Sequence, residues 1–124
     1  MKLAITGSRK FNDYPAFVSA VDQLSPAELV SGGAQGADAM AERYGRERSL
    51  PVTVFLPKFK TDKSTPYHPR WYLERNKEIV DYADHVLAFH DGKSKGTLHT
   101  INYARKTGNT VDVNHFGPPT HSLF

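Results

Sequence analysis

Residues 29–38, Leu29-Val30-Ser31-Gly32-Gly33-Ala34-Gln35-Gly36-Ala37-Asp38, pass from an apolar pair through three glycines into a helical pattern continued by Met40, Ala41 and Tyr44. A short apolar run that ends in a Gly-rich turn and opens a helix is the strand–turn–helix unit of a parallel sheet. The glycines permit positive φ angles and leave room for a ligand to touch the backbone.

The same alternation recurs on both sides. Leu3-Ala4-Ile5, then Val52, Val54, Phe55 and Leu56, then Val86-Leu87-Ala88-Phe89, and finally Val111 and Val113 read as strands bounded by Gly, Pro, Asn or Asp. Most lack strict alternation, as strands buried on both faces do. Phe17, Val18, Val21 and Leu24 share a helical face, with Pro15 near its start. Tyr72, Asn76, Ile79, Val80 and Ala83 form a third stripe. Leu98, Ile101 and Ala104 or Arg105 form a fourth, stopped by Gly108-Asn109. Five strands alternating with four helices require a parallel sheet with right-handed crossovers and helices on both faces. The expected fold is therefore α/β, three layers around a doubly wound five-stranded parallel sheet of order 3-2-1-4-5. The expected domain covers residues 1–113, followed by a mobile tail over 114–124, which holds two prolines and no periodicity. Residues 57–69 are the longest irregular stretch and read as a lid or binding loop.

Length and composition agree with one compact domain. The chain has 124 residues, 39% hydrophobic and 23% charged, with a formal net charge of +3. That charge permits anionic partners without demanding a polynucleotide. No apolar run approaches the roughly 20 residues of a membrane span. The opening residues Met1 to Thr6 are cut off by Gly7-Ser8-Arg9 before they amount to a signal peptide. Absence of cysteine excludes disulfides and thiolate chemistry and suits a cytoplasmic protein.

In an open parallel sheet ligands bind beyond the carboxyl ends of the strands, where helix N-termini offer unpaired N–H groups and positive dipole ends. Three loops are expected there. Gly7-Ser8-Arg9 follows the first strand and brings backbone access, a hydroxyl and a guanidinium. Gly32, Gly33, Ala34, Gly36 and Asp38 follow the second. Gly92, Ser94, Lys95, Gly96 and Thr97 follow the fourth, again Gly-rich, basic and entering a helix. On the third helix, Arg75 suits a bidentate clamp on phosphate and Asn76 a hydrogen bond to base or ribose, although both also fit a plain helix surface. Asp38 is expected to pin a loop or to accept a hydroxyl proton.

Taken in order, Gly7-Ser8-Arg9, Gly32-Gly33-Ala34-x-Gly36-Ala37-Asp38, Arg75-Asn76 and Asp91-Gly92-Lys93-Ser94-Lys95-Gly96-Thr97 resemble the SLOG superfamily of Rossmann-like domains. Within it they are most similar to the YspA-like (cpYpsA-related) branch, from Lys2 to about Val113. The resemblance implies binding of a nucleotide or nucleotide-derived ligand by a sensor or sequestering module. It also implies two alternatives. Some LOG members are phosphoribohydrolases that cleave the N-glycosidic bond of nucleoside monophosphates, with an arginine and a glutamate just after a Gly-Thr pair. Arg75 and Gly96-Thr97 match, but Leu98, His99 and Thr100 follow where the glutamate belongs. Arg75 and His99 are then the remaining catalytic candidates, and histidine does not supply the negative charge that stabilises an oxocarbenium-like transition state. DprA-type relatives handle single-stranded DNA. Phe59-Lys60 and Tyr67-His68-Pro69-Arg70-Trp71-Tyr72 interleave aromatic and basic residues as single-strand binding surfaces do. Relatives of this kind often self-associate, so a homo-oligomer is an open expectation.

Competing motifs are weaker. Gly92-x-Ser94-x-Gly96 matches the nucleophile elbow of α/β-hydrolases, but lysines flank the serine where small residues are usual. A Walker A loop ending at Gly92-Lys93-Ser94 would need glycine at position 87, which is Leu87. The histidines at 68, 85, 90, 99, 115 and 121 show no metal-ligand spacing, so neither a metal nor a resident cofactor is expected.

Overall fold

The computed structural model describes residues 1–117. Its elements are β1 (Lys2–Gly7), α1 (Tyr14–Leu24), β2 (Glu28–Ser31), α2 (Ala37–Arg48), β3 (Val52–Val54), α3 (Lys58–Thr61), α4 (Arg70–Tyr82), β4 (His85–His90), α5 (Lys95–Lys106) and β5 (Thr110–His115). The strands form one parallel sheet in the order β3-β2-β1-β4-β5. This is the doubly wound α/β topology expected from the alternation of strand and helix patterns.

Residue alternation along the central strands divides the core into two halves. Leu3, Ile5, Leu29, Leu87 and Phe89 face α1 and α2, where they meet Phe17, Val21, Ala41 and Tyr44. Ala4, Val30 and Val86 face the opposite side and meet Ile79 and Val80 of α4 and Ala104 of α5. Phe11, in the loop before α1, joins the first half by stacking on Phe89 at 4.5 Å. Local sequence starts and stops these helices. Asp13 caps α1 by accepting from the Ala16 N–H (3.1 Å), and Ser25 ends it in the left-handed conformation. Ser94 caps α5, whose end is turned by Gly108 at φ 82°.

Four local expectations need correction. Leu98 does not belong to the buried stripe of α5: it is 45% exposed, and Thr97, Thr100, Ile101 and Ala104 form that face. The third strand ends at Val54 and not at Leu56, although the Phe55 N–H still donates to the Ser31 carbonyl oxygen at 2.9 Å; Pro57 beyond it has no N–H for a ladder. The 57–69 loop holds a one-turn helix, α3. The domain continues past Val113, since β5 pairs through His115 with His90, and Phe116 packs edge-on against Phe11 at 4.9 Å. Of the tail expected over 114–124, residues 118–124 lie outside the described part.

Gly36 shows how closely the layers meet at the carboxyl edge. Its φ is 70°, and a Cβ there would stand 2.5 Å from the Ser8 carbonyl oxygen. Gly108 has a similar φ with open space around it. Gly36→Ala is expected to destabilise the domain by about 1–3 kcal/mol, and clearly more than Gly108→Ala. Denaturant unfolding with unchanged m-values measures both.

Candidate nucleotide-binding site

The crossover from β1 runs over one face of the sheet and that from β4 over the other, so a crevice opens between their carboxyl ends. A pocket of about 230 Å³ occupies this position. Ile5, Thr6 and Gly7 of β1 form one wall, with Arg9 and Asp38 beside them. Tyr72, Arg75, Asn76 and Ile79 of α4 stand opposite, and Ser94, Gly96, Thr97 and Thr100 close the α5 side.

Arg75 is 9% exposed although it sits in the first half of a surface helix. Its Nη1 donates to the Gly32 carbonyl oxygen at 2.6 Å and to that of Phe55 at 3.4 Å, while Nε donates to Asn76 Oδ1 at 3.0 Å. Nη2 makes no bond to the described residues. Burial lowers the affinity of this guanidinium for its proton, and the Asp38 charge opposes that effect. Nearby Arg9 adds a like charge.

Asp38 lies in the first turn of α2 and is 8% exposed. Its Oδ2 accepts from the Ala34 N–H at 3.2 Å. Burial pushes the carboxyl up from 3.8 to about 6, against the lowering effects of the Ala34 N–H, of Arg75 and of the Gly32 N–H. Asp38 and Arg75 make no ion pair; they approach across Gly32, where a Cβ would stand 2.7 Å from Arg75 Nη1 and 3.0 Å from Asp38 Oδ2.

The second loop therefore uses its glycines largely on itself. The Gly33 N–H donates to Ser31 Oγ (3.1 Å), the Ala34 N–H goes to Asp38, and the Gly32 carbonyl takes Arg75. The fourth loop is different. Asp91 Oδ1 accepts from the Lys93 and Ser94 N–H groups, both at 2.8 Å, and these hold its carboxyl below the usual range. That turn delivers Ser94 to cap α5, where its Oγ meets Thr97 Oγ1 at 2.9 Å. The N–H groups of Lys95 and Gly96, in the first turn of α5, have no partner among the described residues. Nothing stands within 4 Å of a Cβ built on Gly96.

Of the residues expected at the site, Gly7, Arg9, Asp38, Arg75, Asn76, Ser94, Gly96 and Thr97 line the pocket directly. Ser8, Gly32, Gly33, Ala34, Gly36, Gly92 and Lys95 do not line it. His99 is also outside: its half-buried ring lies beside Lys77 and Glu74 of α4, where burial lowers its proton affinity and Nδ1 has no partner among the described residues. Thr6, Ile79 and Thr100 line the pocket too, although their sequence positions do not mark them as site residues, and so does Tyr72, expected only in the aromatic and basic run. Thr100 carries one usable signal, lying three residues after Thr97 on the same helical face. Tyr67 and Trp71 do not reach this pocket. Tyr67 packs edge-on against Phe59 at 5.1 Å, and Trp71 Nε1 donates to the Pro66 carbonyl oxygen at 3.3 Å.

Residues 1–61 match the model of the YspA, cpYpsA-related SLOG family. The gene 61 protein of Mycobacterium phage D29 is 36% identical over 126 residues, covering 94% of this chain and 96% of that protein. The chain belongs to the YspA, cpYpsA-related SLOG family. A shorter likeness, 33% identity over 54 residues, links 42% of this SLOG chain to 32% of the SPbeta prophage-derived protein YoqJ of Bacillus subtilis (strain 168). Among solved structures, DNA processing protein A from Helicobacter pylori, solved to describe its single-stranded DNA binding mode, aligns with a TM-score of 0.73 at 22% identity. That alignment covers 98% of this chain and 67% of the other. DNA processing protein A from Streptococcus pneumoniae aligns with a TM-score of 0.69 at 16% identity, and the SLOG domain spans about half of it, 52%. Both structural likenesses concern the fold. No helix among the described residues is long and apolar enough to cross a membrane.

The buried carboxyl gives a pH-dependent stability. With Asp38 raised from 3.8 to about 6 on folding, the folded chain holds the extra proton between those values. This group's contribution to stability therefore falls as pH rises through that window. Asp38→Asn keeps an acceptor for the Ala34 N–H and removes the buried charge. It is expected to stabilise the domain by about 3 kcal/mol at pH 8, with the gain shrinking towards zero as pH falls to about 4. Urea midpoints across that range measure the effect.

Proposed function

We propose that this chain binds a phosphate-bearing nucleotide, or a nucleotide-derived ligand, in the pocket between β1, α4 and α5. The observation that carries this reading is Arg75: a residue only 9% exposed, its guanidinium held by backbone carbonyls from two loops, with Nη2 left over at a pocket wall. A charge kept so far from water needs a compensating partner, and phosphate matches the planar fork of arginine. The first turn of α5 adds the Gly96 N–H at the pocket wall, the Lys95 N–H just outside it and a positive dipole end, and Arg9 adds a second charge to the lining. In this reading the phosphate sits on the α5 side, a choice supported by the Gly33 and Ala34 amides already having acceptors. SLOG membership and the fold shared with DNA processing protein A support a nucleotide or nucleic-acid ligand in general.

Single-stranded nucleic acid is the second reading. Phe59, Tyr67 and Tyr72 form an edge-to-face cluster, and Trp71 lies against Lys58 (5.1 Å) and Arg70 (4.6 Å). Such aromatic and basic groups suit base stacking beside a backbone. Cleavage of a sugar–base bond is a third reading; the carboxylate it requires is present at the pocket as Asp38, not after Thr97. Release of free base from nucleoside monophosphates at high protein concentration tests it.

A thermal-shift panel of nucleoside mono-, di- and triphosphates, NAD, ADP-ribose, cyclic nucleotides and a short single-stranded oligonucleotide decides among these. A ligand at 100 times its Kd adds about 2.7 kcal/mol, a rise of about 5–15 °C for a domain of this size. The expected result is a shift with a mononucleotide that is lost in Arg75→Ala and reduced in Arg9→Ala, each referred to its own ligand-free midpoint. A shift confined to the oligonucleotide, with steep salt dependence, gives precedence to the nucleic-acid reading.

A further inference from the structure

An anion accounts for the cationic side of the pocket; it does not account for the buried carboxylate. Asp38 and Arg75 line the same cavity, each nine-tenths buried, yet no ion pair joins them. Asp38 Oδ2 takes the Ala34 N–H and the Gly32 N–H also bears on the carboxylate, whereas no hydrogen bond to Oδ1 is made by the described residues. Pinning the loop needs only one oxygen, and an asparagine would provide it without burying a charge. A carboxylate also repels phosphate, so a pocket for a bare anion would do better without Asp38.

Both charges are satisfied by one kind of ligand. It carries an anionic end for Arg75 and the α5 N-terminus, and neutral hydrogen-bond donors a short distance away for Asp38. On a nucleotide the sugar hydroxyls are the donors that adjoin the phosphate. A charged acceptor favours the vicinal 2′,3′ pair, which presents two hydroxyls to one oxygen, and 2′-deoxyribose lacks one of them. Resting on the nucleotide reading above, the geometry points to Asp38 Oδ1 as the acceptor of a ribose hydroxyl, which makes this pocket selective for ribonucleotides over 2′-deoxyribonucleotides.

The test is calorimetric titration with the four ribonucleoside 5′-monophosphates, their 2′-deoxy counterparts and ribose 5-phosphate, using wild type, Asp38→Asn and Asp38→Ala. The expected result is a ribo-over-deoxy preference of about tenfold or more in wild type, the size of one hydrogen bond to a charged group. In both variants the preference falls to within about twofold while phosphate-dependent binding persists, because removing Asp38 removes a repulsion. Equal wild-type affinity for both sugar forms overturns the role of Asp38 and leaves the nucleotide site standing. So does a preference that survives in Asp38→Asn, or one that follows the base and ignores the sugar. Binding of none of these phosphates overturns the nucleotide reading and this inference together. The wild-type ratio decides even if a variant fails to fold.

Discussion

The contact of Arg75 with the Gly32 carbonyl, 2.6 Å long and buried, is the constraint on which the carboxyl edge of this domain depends. It joins α4 to the end of β2, and through the Phe55 carbonyl to the chain leaving β3. Only a residue without a Cβ fits at position 32, because the guanidinium and the Asp38 carboxylate occupy the space on either side of it. A lysine would not reproduce this arrangement, since a single ammonium cannot address two carbonyls, Asn76 and a ligand in one plane. The arginine is thus structural on one edge and open on the other.

Burying two unpaired charges is costly, and the domain meets that cost with a well-packed two-sided core. Both faces of β1 and β4 are covered, so the crevice between their ends is held by strands with little freedom to move. Small residues let the layers approach there. A Cβ on Gly7 would lie 2.9 Å from that of Ala37 and as close to the Phe89 carbonyl oxygen, which brings the start of α2 directly against the switch point. The raised proton affinity of Asp38 is the electrostatic mark of the same compression. Strain of this kind is retained where a site requires pre-positioned groups.

Much of the site is legible in the residues themselves. The switch-point rule puts three loops at one sheet edge, and glycines and hydroxyls at strand ends mark them out. What stays illegible is the division of labour among them. The Gly32–Gly36 loop and the Gly92–Gly96 loop look alike as sequences, yet the first closes its own N–H groups through Ser31 and Asp38, and the second leaves those of Lys95 and Gly96 free. Leu98 misleads because an apolar residue at helical spacing normally faces inward; here two threonines hold that face, since it borders the pocket at Thr97 and Thr100.

The amino-acid sequence alone determined the strand–helix alternation and with it a parallel sheet, because periodicity and turn chemistry are local properties written residue by residue; the order was expected from the doubly wound fold class. Tertiary structure alone decided that Arg75, 43 positions beyond Gly32, is buried against it. It also decided that Asp38 keeps one oxygen free, and that Phe116 closes over Phe11 instead of leaving with a tail. These are matters of which distant groups share a volume from which water is excluded. Burial, and the charge state it imposes, arises only when the layers have come together.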